Sequence, residues 1–583
     1  MTTSTSPESQ DIRDVVIIGG GPVGLLLAYQ LARFHFKPSV IEQDDKTRIP
    51  SYGRASTLWP RTIELLDQLD LAEPLLQAGM ITRSGLHFHE GRRVKGGLMY
   101  GSRMDKLGDT FFKFALHLRQ RLTEEIIAEA ALGDYGFQPM ILHQIESYTI
   151  DQNDDSYPVT VQIKDLRTEK MVQLKCKYLV GADGGKSTVR KLARISFDGE
   201  RTKSQWIRMD ALVKTDMPNP RYLNSIDSAS HGQILWCPID NGLTRIGYVF
   251  SGSLIEKYGG VEGVTQEVAM KEAKHALHPF QLEFLSVDWF TIYGIGQRIA
   301  STFCADGRIF LAGDAGHTHS SGSAQGLNTG VHDAVNLAWK LALRVRGLAK
   351  ETVLHSYDAE RRRVVQTVID NDKVISTLIS GHYPPQLQGR SEPTRELLTE
   401  WFNDLNMQHF TLGLGISYPH SLLNMDTTDS SSATIEPGER GPDVYLTSLG
   451  TGDPLRLQKI LSNRAKFSLV VFAGNPEYTR LALCDLGNAM TASDSFINVF
   501  PEQAFQWFTI PAASGNGGQE ILGCRPFGKV YLDGDMKAHE MYGVDVQRGA
   551  IIVFRPDGWI GIVVPLSGAE QLRVYFDGML YRH

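Results

Sequence analysis

Residues 14–42 read DVVIIGGGPVGLLLAYQLARFHFKPSVIE. Asp14 to Ile18 is a short apolar run that predicts a β-strand, Pro22 to Phe34 carries a helical pattern, and Ser39 to Ile41 begins a second strand. Between the first strand and the helix, Gly19-Gly20-Gly21-Pro22-Val23-Gly24 satisfies GxGxxG. Gly19 allows the tight turn, Gly21 lets backbone approach a pyrophosphate, and Gly24 lets the helix pack closely on the strand. The helix start then presents free N–H groups and roughly half a positive charge to phosphates. Glu42 ends the second strand, placed to accept hydrogen bonds from an adenosine ribose. A glycine-rich turn alone is a weak signal, but the whole βαβ unit with its terminal acid specifies a dinucleotide. It does not separate FAD from NAD.

Two later stretches make that choice. Gly181-Ala182-Asp183-Gly184-Gly185-Lys186-Ser187-Thr188-Val189-Arg190 follows the apolar run KYLV, and Ile309-Phe310-Leu311-Ala312-Gly313-Asp314-Ala315-Gly316-His317 precedes Gly326-Leu327-Asn328-Thr329-Gly330 and NLAWKLA. With these in order the chain resembles the single-component (class A) FAD-dependent aromatic monooxygenases, and within them the phenol hydroxylase branch. The resemblance extends along the chain. Tyr357-Asp358-Ala359-Glu360-Arg361 matches the family's YxxER helix start, and GERGPD (438–443) and RPDG (555–558) match its C-terminal thioredoxin-like domain.

The resemblance implies a site. Asp314 stands where the family's carboxylate binds the ribityl hydroxyls of FAD. Gly326, Leu327 and Asn328 open a helix whose N–H groups face the flavin's N1–C2=O edge, an array worth up to ~2 kcal/mol to an anionic reduced flavin in a partly buried site. Gln120 matches a position near the adenosine, Arg54 an arginine beside the cofactor, and Asp183 with Arg190 the DG motif used for FAD and pyridine nucleotide. The implied cycle passes hydride from NADPH or NADH to the flavin, adds O₂ to form a C4a-hydroperoxide, and transfers an oxygen to a small phenolic aromatic.

For the substrate, the family's acid in the loop after the RA motif falls on Ser56, which cannot serve as the same general base. Arg245 and Tyr248, on LTRIGYVF, are the candidates for the family's arginine–tyrosine pair, with the spacing off by one. Ser321 replaces a proline above the flavin, which predicts a less stiff loop. Tyr293 and Gly296-Gln297-Arg298 match a segment read as structural as much as catalytic. The missing acid keeps open oxidative decarboxylation or dearomatisation of a larger natural-product phenol. A halogenase is disfavoured, because only Trp507-Phe508-Thr509-Ile510-Pro511 approaches WxWxIP. A non-enzymatic FAD-binding protein is the remaining alternative. His317, His319, His87 and His89 form no complete ligand shell, so no metal is expected.

Composition sets the outer bounds. The 583 residues allow two to four domains, and 59 basic against 66 acidic residues without a basic block disfavour nucleic acid. Five scattered cysteines without CxxC predict reduced, buried thiols, and the polar start lacks a secretion signal, so a cytoplasmic protein with no membrane span is expected. The expected fold is α/β. A Rossmann-like FAD-binding domain (14–84, 115–200 and 296–380) is interleaved with a β-sheet substrate domain (85–114 and 201–295). A flexible N-terminus (1–13) precedes them. A helical segment and linker (381–437), ending in the Ser/Thr/Pro/Gly-rich run 426–442, leads to a thioredoxin-like domain (438–583). Lacking CxxC, that last domain is expected to serve packing or homodimer contact rather than disulfide exchange.

Overall fold

The apolar run before the glycines forms the middle of a parallel sheet. In the computed structural model, which describes residues 11–49, 51–94, 104, 107–426 and 433–582, β1 (Asp11–Ile18) leads into α1 (Pro22–Arg33) and β2 (Pro38–Glu42). Helices α2 (Pro60–Asp67) and α3 (Gln120–Tyr135) follow, and β3 (Met171–Gly181) returns to pair in parallel with β1. Val15, Val16 and Ile17 are fully buried, as a central strand covered on both faces requires. The N-terminal expectation needs correction at its inner end. Asp11, Ile12 and Arg13 are already strand, in register with Leu174, Lys175 and Cys176, while residues 1–10 lie outside the described residues.

A second, eight-stranded sheet contains β4 (Phe197–Thr215), β5 (Gly232–Pro238), β6 (Thr244–Phe250) and, after helix α4 (Gln266–Ala276), β7 (Leu282–Ala300). Its order runs His317–Thr318, β7, β4, β6, β5, Leu223–Ser228, Gly85–His89, Arg92–Val94. One face packs on α4 through Ile207, Met209, Ile246, Tyr248, Ala269 and Ala273. The other face turns toward the first sheet.

The chain then re-enters the first sheet with β8 (Ile309–Leu311), parallel to β3, and continues into α5 (Gln325–Val345) and α6 (Glu351–Ile379). Register aligns Ile18 with Gly181 and Gly181 with Leu311. The turns after β1, β3 and β8 therefore emerge side by side at the carboxyl edge, where open α/β sheets bind ligands. α5 begins at Gln325, just ahead of Gly326, and α6 at Glu351, ahead of the YxxER motif at Tyr357. Ala324 takes a left-handed φ of 54° and starts α5 without a side-chain cap, a start no cap residue advertises.

The C-terminal sheet has seven strands, with β9 (Phe467–Gly474), α7 (Pro476–Thr491), β10 (Phe505–Pro511), β11 (Ala550–Phe554), β12 (Ile560–Val564) and α8 (Ala569–Asp577) in chain order. β9 and β10 are parallel, β11 runs antiparallel to β9, and β12 antiparallel to β11. This unit is not a loose appendage. Arg555 donates to Glu360 at 2.9 Å, Trp339 Nε1 to Asp557 at 3.0 Å, and Arg440 to Glu64 at 2.8 Å, all in buried surroundings. Residues 427–432 of the expected linker lie outside the described residues, but its end is packed, with Arg440 buried. Of the cysteines, Cys176 and Cys237 are buried as expected, whereas Cys304, Cys484 and Cys524 are only half-buried; all five are free thiols. Among the described residues no helix is long and apolar enough to cross a membrane.

Candidate active site

The three adjoining turns open into one cavity of about 560 Å³ that continues across the second sheet. Gly19 has φ +107°, and a Cβ there would lie 2.3 Å from the Ala182 carbonyl oxygen; one at Gly24 would lie 2.0 Å from the Gly19 carbonyl. Gly21, by contrast, faces open space and lines the cavity. The roles expected of the three glycines are thus separated by geometry: two serve packing, and one leaves room beside the start of α1.

Asp314 lies exposed to the cavity on the turn Gly313–Ala315, and among the described residues its carboxylate makes no hydrogen bond or ion pair. The turn beneath it is held from behind. Asp333 accepts from Gly313 N at 3.0 Å, His317 Nε2 at 2.7 Å and Arg361 Nε at 2.7 Å. Burial would raise the Asp333 pKa, but Arg361 and His317 hold it down to about 2. Gly326 and Leu327, at the open end of α5, line the same wall. So do Arg54 and Gln120, whose side-chain amide donates to Glu124 at 2.8 Å. An open glycine, an unpartnered carboxylate and an uncapped helix start on one wall fit the phosphates, polyol and pyrimidine edge of FAD.

Four other residues expected at the cofactor do not line the cavity. Glu42 turns toward the glycines, accepting from Gly20 N at 2.8 Å and Asp44 N at 2.9 Å. Asp183 caps its own turn, accepting from Ser187 Oγ at 2.5 Å and Thr188 N at 2.6 Å. Arg190 braces two turns by donating to the Gly185 and Ala315 carbonyls at 2.9 and 2.7 Å, and stacks on Phe197. The Asn328 amide donates to the Thr57 and Ala324 carbonyls and accepts from Trp59 N at 2.9 Å, tying the loop of Ser56 to α5.

The opposite wall is the free face of the second sheet. Pairing sets Arg208 beside Gly247, Asp210 beside Arg245, and Trp206 beside Tyr293. Arg245 is buried, and its fork closes on Asp210 with two contacts of 2.7 Å; a further donor reaches the Arg54 carbonyl. Burial would lower its pKa, yet Asp210 raises it. The fork of this candidate substrate arginine is therefore already closed within the protein.

Tyr248 is a correction. It stands three residues after Arg245, and an unbulged strand sends those two side chains to opposite faces. Its hydroxyl donates to the Ala269 carbonyl at 2.7 Å on the α4 side. The tyrosine in the cavity is Tyr293, whose hydroxyl lies 2.5 Å from Ser321 Oγ and whose ring carries the Arg54 guanidinium at 4.8 Å.

Ser321 also accepts from Arg208 Nη2 at 2.9 Å, which joins Arg208, Ser321 and Tyr293. The loop carrying Ser321 is stiff without the proline, because the buried Asp372 accepts from Ser320 N at 2.7 Å and Gln297 Nε2 at 2.8 Å. Ser56 lines the cavity floor with His117. His117 lies 3.1 Å from Thr57 Oγ1 and 2.7 Å from Thr82 Oγ1, and burial lowers its pKa to about 3, so it is neutral. Two of the other histidines are likewise engaged: His319 Nδ1 donates to the Ser320 carbonyl at 2.9 Å, and His89 pairs with Asp227 at 2.7 Å.

Sequence reasoning missed Arg208 and His117. The alternation Arg245, Gly247, Val249 on one face of β6 was a signal for excluding Tyr248; nothing local to Arg208 marks it.

A family model described as an FAD binding domain matches residues 13–372, and one described as the phenol hydroxylase C-terminal dimerisation domain matches residues 519–583. The chain is 27% identical to phenol 2-monooxygenase fsqG of Aspergillus fumigatus, covering 98% of this chain and 97% of that one. It is 29% identical to 3-hydroxybenzoate 4-monooxygenase of Comamonas testosteroni, covering 97% and 94%. Among solved structures, aklavinone-11 hydroxylase in ternary complex with FAD and aklavinone aligns over 97% of this chain and 99% of that one, with a TM-score of 0.72 at 19% identity. At that identity the likeness speaks for the fold.

Proposed function

Because the chain belongs to the single-component FAD-dependent aromatic monooxygenases, we propose that it uses NAD(P)H and O₂ to hydroxylate a phenolic ring held between α5 and the second sheet. The observation that carries this reading is the single cavity, with Gly21, Asp314 and Leu327 on one wall and Tyr293 and Ser321 on the other. Gly21 and the start of α1 would take the pyrophosphate, Asp314 the ribityl hydroxyls, and Gly326 and Leu327 the pyrimidine edge. When bound, FAD supplies the redox chemistry, accepting hydride and activating O₂.

The chain's own residues position the substrate. Tyr293, held by Ser321 behind its hydroxyl, is placed to accept a hydrogen bond from the substrate phenol and fix its orientation. Leu223, Leu235 and Trp59 wall the ring off from water. The expected role of Arg245 shifts to holding Asp210 and the Arg54 loop in place. The test is direct. Purified protein should be yellow, phenols should accelerate NAD(P)H oxidation, and the product should be heavier by one oxygen atom. Bound flavin that no phenol stimulates would overturn the reading.

One observation favours a second outcome of the same chemistry. Ser56 offers no acid in the loop, so substrates whose attacked carbon is substituted, giving decarboxylation or dearomatisation, fit the site as well as simple phenols. Evolved CO₂ or a non-aromatic product separates the two. The βαβ–ββα order of β9 to α8 supports a thioredoxin-like C-terminal domain, and the match to a dimerisation domain supports a homodimer, which light scattering tests.

A further inference from the structure

Six arginines other than Arg208 are at most 5% exposed in the interior, and five of them have a carboxylate partner. Arg61 lies 3.0 Å from Glu64, Arg245 2.7 Å from Asp210, Arg361 2.7 Å from Asp333, Arg440 2.6 Å from Glu64 and Arg555 2.7 Å from Asp557. The sixth, Arg190, has two carbonyls and an aromatic face. Arg208 is the one that both lines the cavity and has no carboxylate partner among the described residues; Arg245 lines it too but is closed on Asp210, and the Arg208 guanidinium lies 5.0 Å from the Trp206 ring. It is 3% exposed, and its described hydrogen bonds are to the Ile207 carbonyl at 3.1 Å and to Ser321 Oγ at 2.9 Å. Of five guanidinium hydrogens, three remain without a described acceptor. Asp210 stands two residues further on the same face, but both its oxygens are held by Arg245. Arg245 is itself a cation, and burial pushes the Cys237 thiol up to about 12, so neither offsets Arg208.

A buried charge without an ion-pair partner is costly, so the fold must gain something by keeping it. The neighbouring strand is shaped for it. Gly247 has no left-handed φ that would call for glycine, yet a Cβ there would lie 2.1 Å from Arg208 Nη1. The missing side chain is a seat for the guanidinium.

We infer that Arg208 is the substrate's anion receptor, and that the aromatic ring this site accepts carries a carboxylate. The inference rests on the hydroxylase reading above. A carboxylate matches the planar fork better than a phenolate, and it leaves the phenol to Tyr293 across the Ser321 bridge. Leu223 and Leu235 complete an apolar slot between the two polar ends.

The test uses the FAD-loaded full chain and flavin absorbance titrations with the hydroxybenzoate isomers and the matching hydroxybenzamides. At least one acid should bind more than about ten-fold tighter than its amide, the size expected for charge-assisted hydrogen bonds. Arg208→Gln should erase that preference by weakening the acid alone, and Arg208→Lys should keep part of it. Gly247→Ala, which leaves the charge and removes its seat, should weaken the acid as well. Amides binding as tightly as acids, a preference that survives Arg208→Gln, or neither series perturbing the flavin would each overturn the inference. FAD loss or a shifted flavin spectrum in ligand-free Arg208→Gln would overturn it too, by assigning the guanidinium to the cofactor. In all of these cases oxygenated product from another phenol leaves the hydroxylase reading standing.

Discussion

The two walls of the cavity are built on opposite plans. On the flavin side, side chains such as Asp333, Asp183, Arg190 and Asn328 brace the turns from behind, while the surface offered to a ligand is backbone together with the side chains of Asp314, Arg54 and Gln120. On the sheet side the backbone is engaged in strand pairing, and the offered surface is side chain: Arg208, Tyr293, Leu235. The first plan holds a constant cofactor, because backbone N–H groups change little with residue identity. The second tunes a variable substrate, because each side chain on the free face is exchangeable.

That contrast can be broken or sharpened. The largest effect should come from Arg245→Ala, which leaves Asp210 buried and unpaired and should cost about 3–5 kcal/mol of stability by urea unfolding. A stable Arg245→Ala protein with lost substrate response would return Arg245 to direct substrate binding. Asp314→Ala should do the reverse. With no partner to lose it should leave unfolding unchanged, yet weaken FAD roughly 10- to 100-fold, the range for charge-assisted hydrogen bonds, measured as flavin retained after dialysis.

Two tyrosines divide the sheet by face. Tyr248→Phe should lower stability by about 1 kcal/mol through the lost bond to the Ala269 carbonyl and leave kcat alone. Tyr293→Phe should cost a similar amount of stability through the lost bond to Ser321 but, unlike Tyr248→Phe, should also lower kcat. The smallest effect is in pH. His117 is held neutral, with its pKa lowered from 6.5 to about 3 by burial, so the unfolded chain binds its proton first. Its contribution is complete above pH 6.5 and is lost as pH falls from there toward 3. His117→Gln should flatten the fall in urea midpoint between pH 7 and 5, above the range where the carboxylates of Asp333 and Glu360, both held to about 2, begin to lose theirs.

The sequence made the flavin wall readable because its signals are local. Gly19, Gly21 and Gly24 fall within one turn, and Asp314 directly follows a strand, so position along the chain already gives position in space. Glu42 and Asp183 were placed at the right strand ends, but their side chains answer to neighbouring N–H groups that a motif does not display. The sheet wall was readable only in part. Arg245 was found as the arginine of its strand, but its partner Asp210 lies on another strand, and Tyr248 was assigned by spacing to a family rather than by the face that alternation dictates. Arg208 has no local signal, because what distinguishes it is an absence on β6, the missing side chain of Gly247. The stiffness withdrawn with the proline at Ser321 is restored by Asp372 from α6, a long-range contact.

The anchoring of Arg555 and Asp557 has a practical consequence for anyone wishing to shorten or recombine this protein. Glu360 takes both Arg555 and Lys340, and Asp557 takes Trp339 and Asn336, so cutting the chain before residue 438 would leave Glu360 with Lys340 as its cation and the Trp339 indole without its acceptor. A chimera that borrows its tail from a relative must import that arginine and aspartate in register with α5 and α6, or begin with a half-protein whose inner donors and acceptors no longer match.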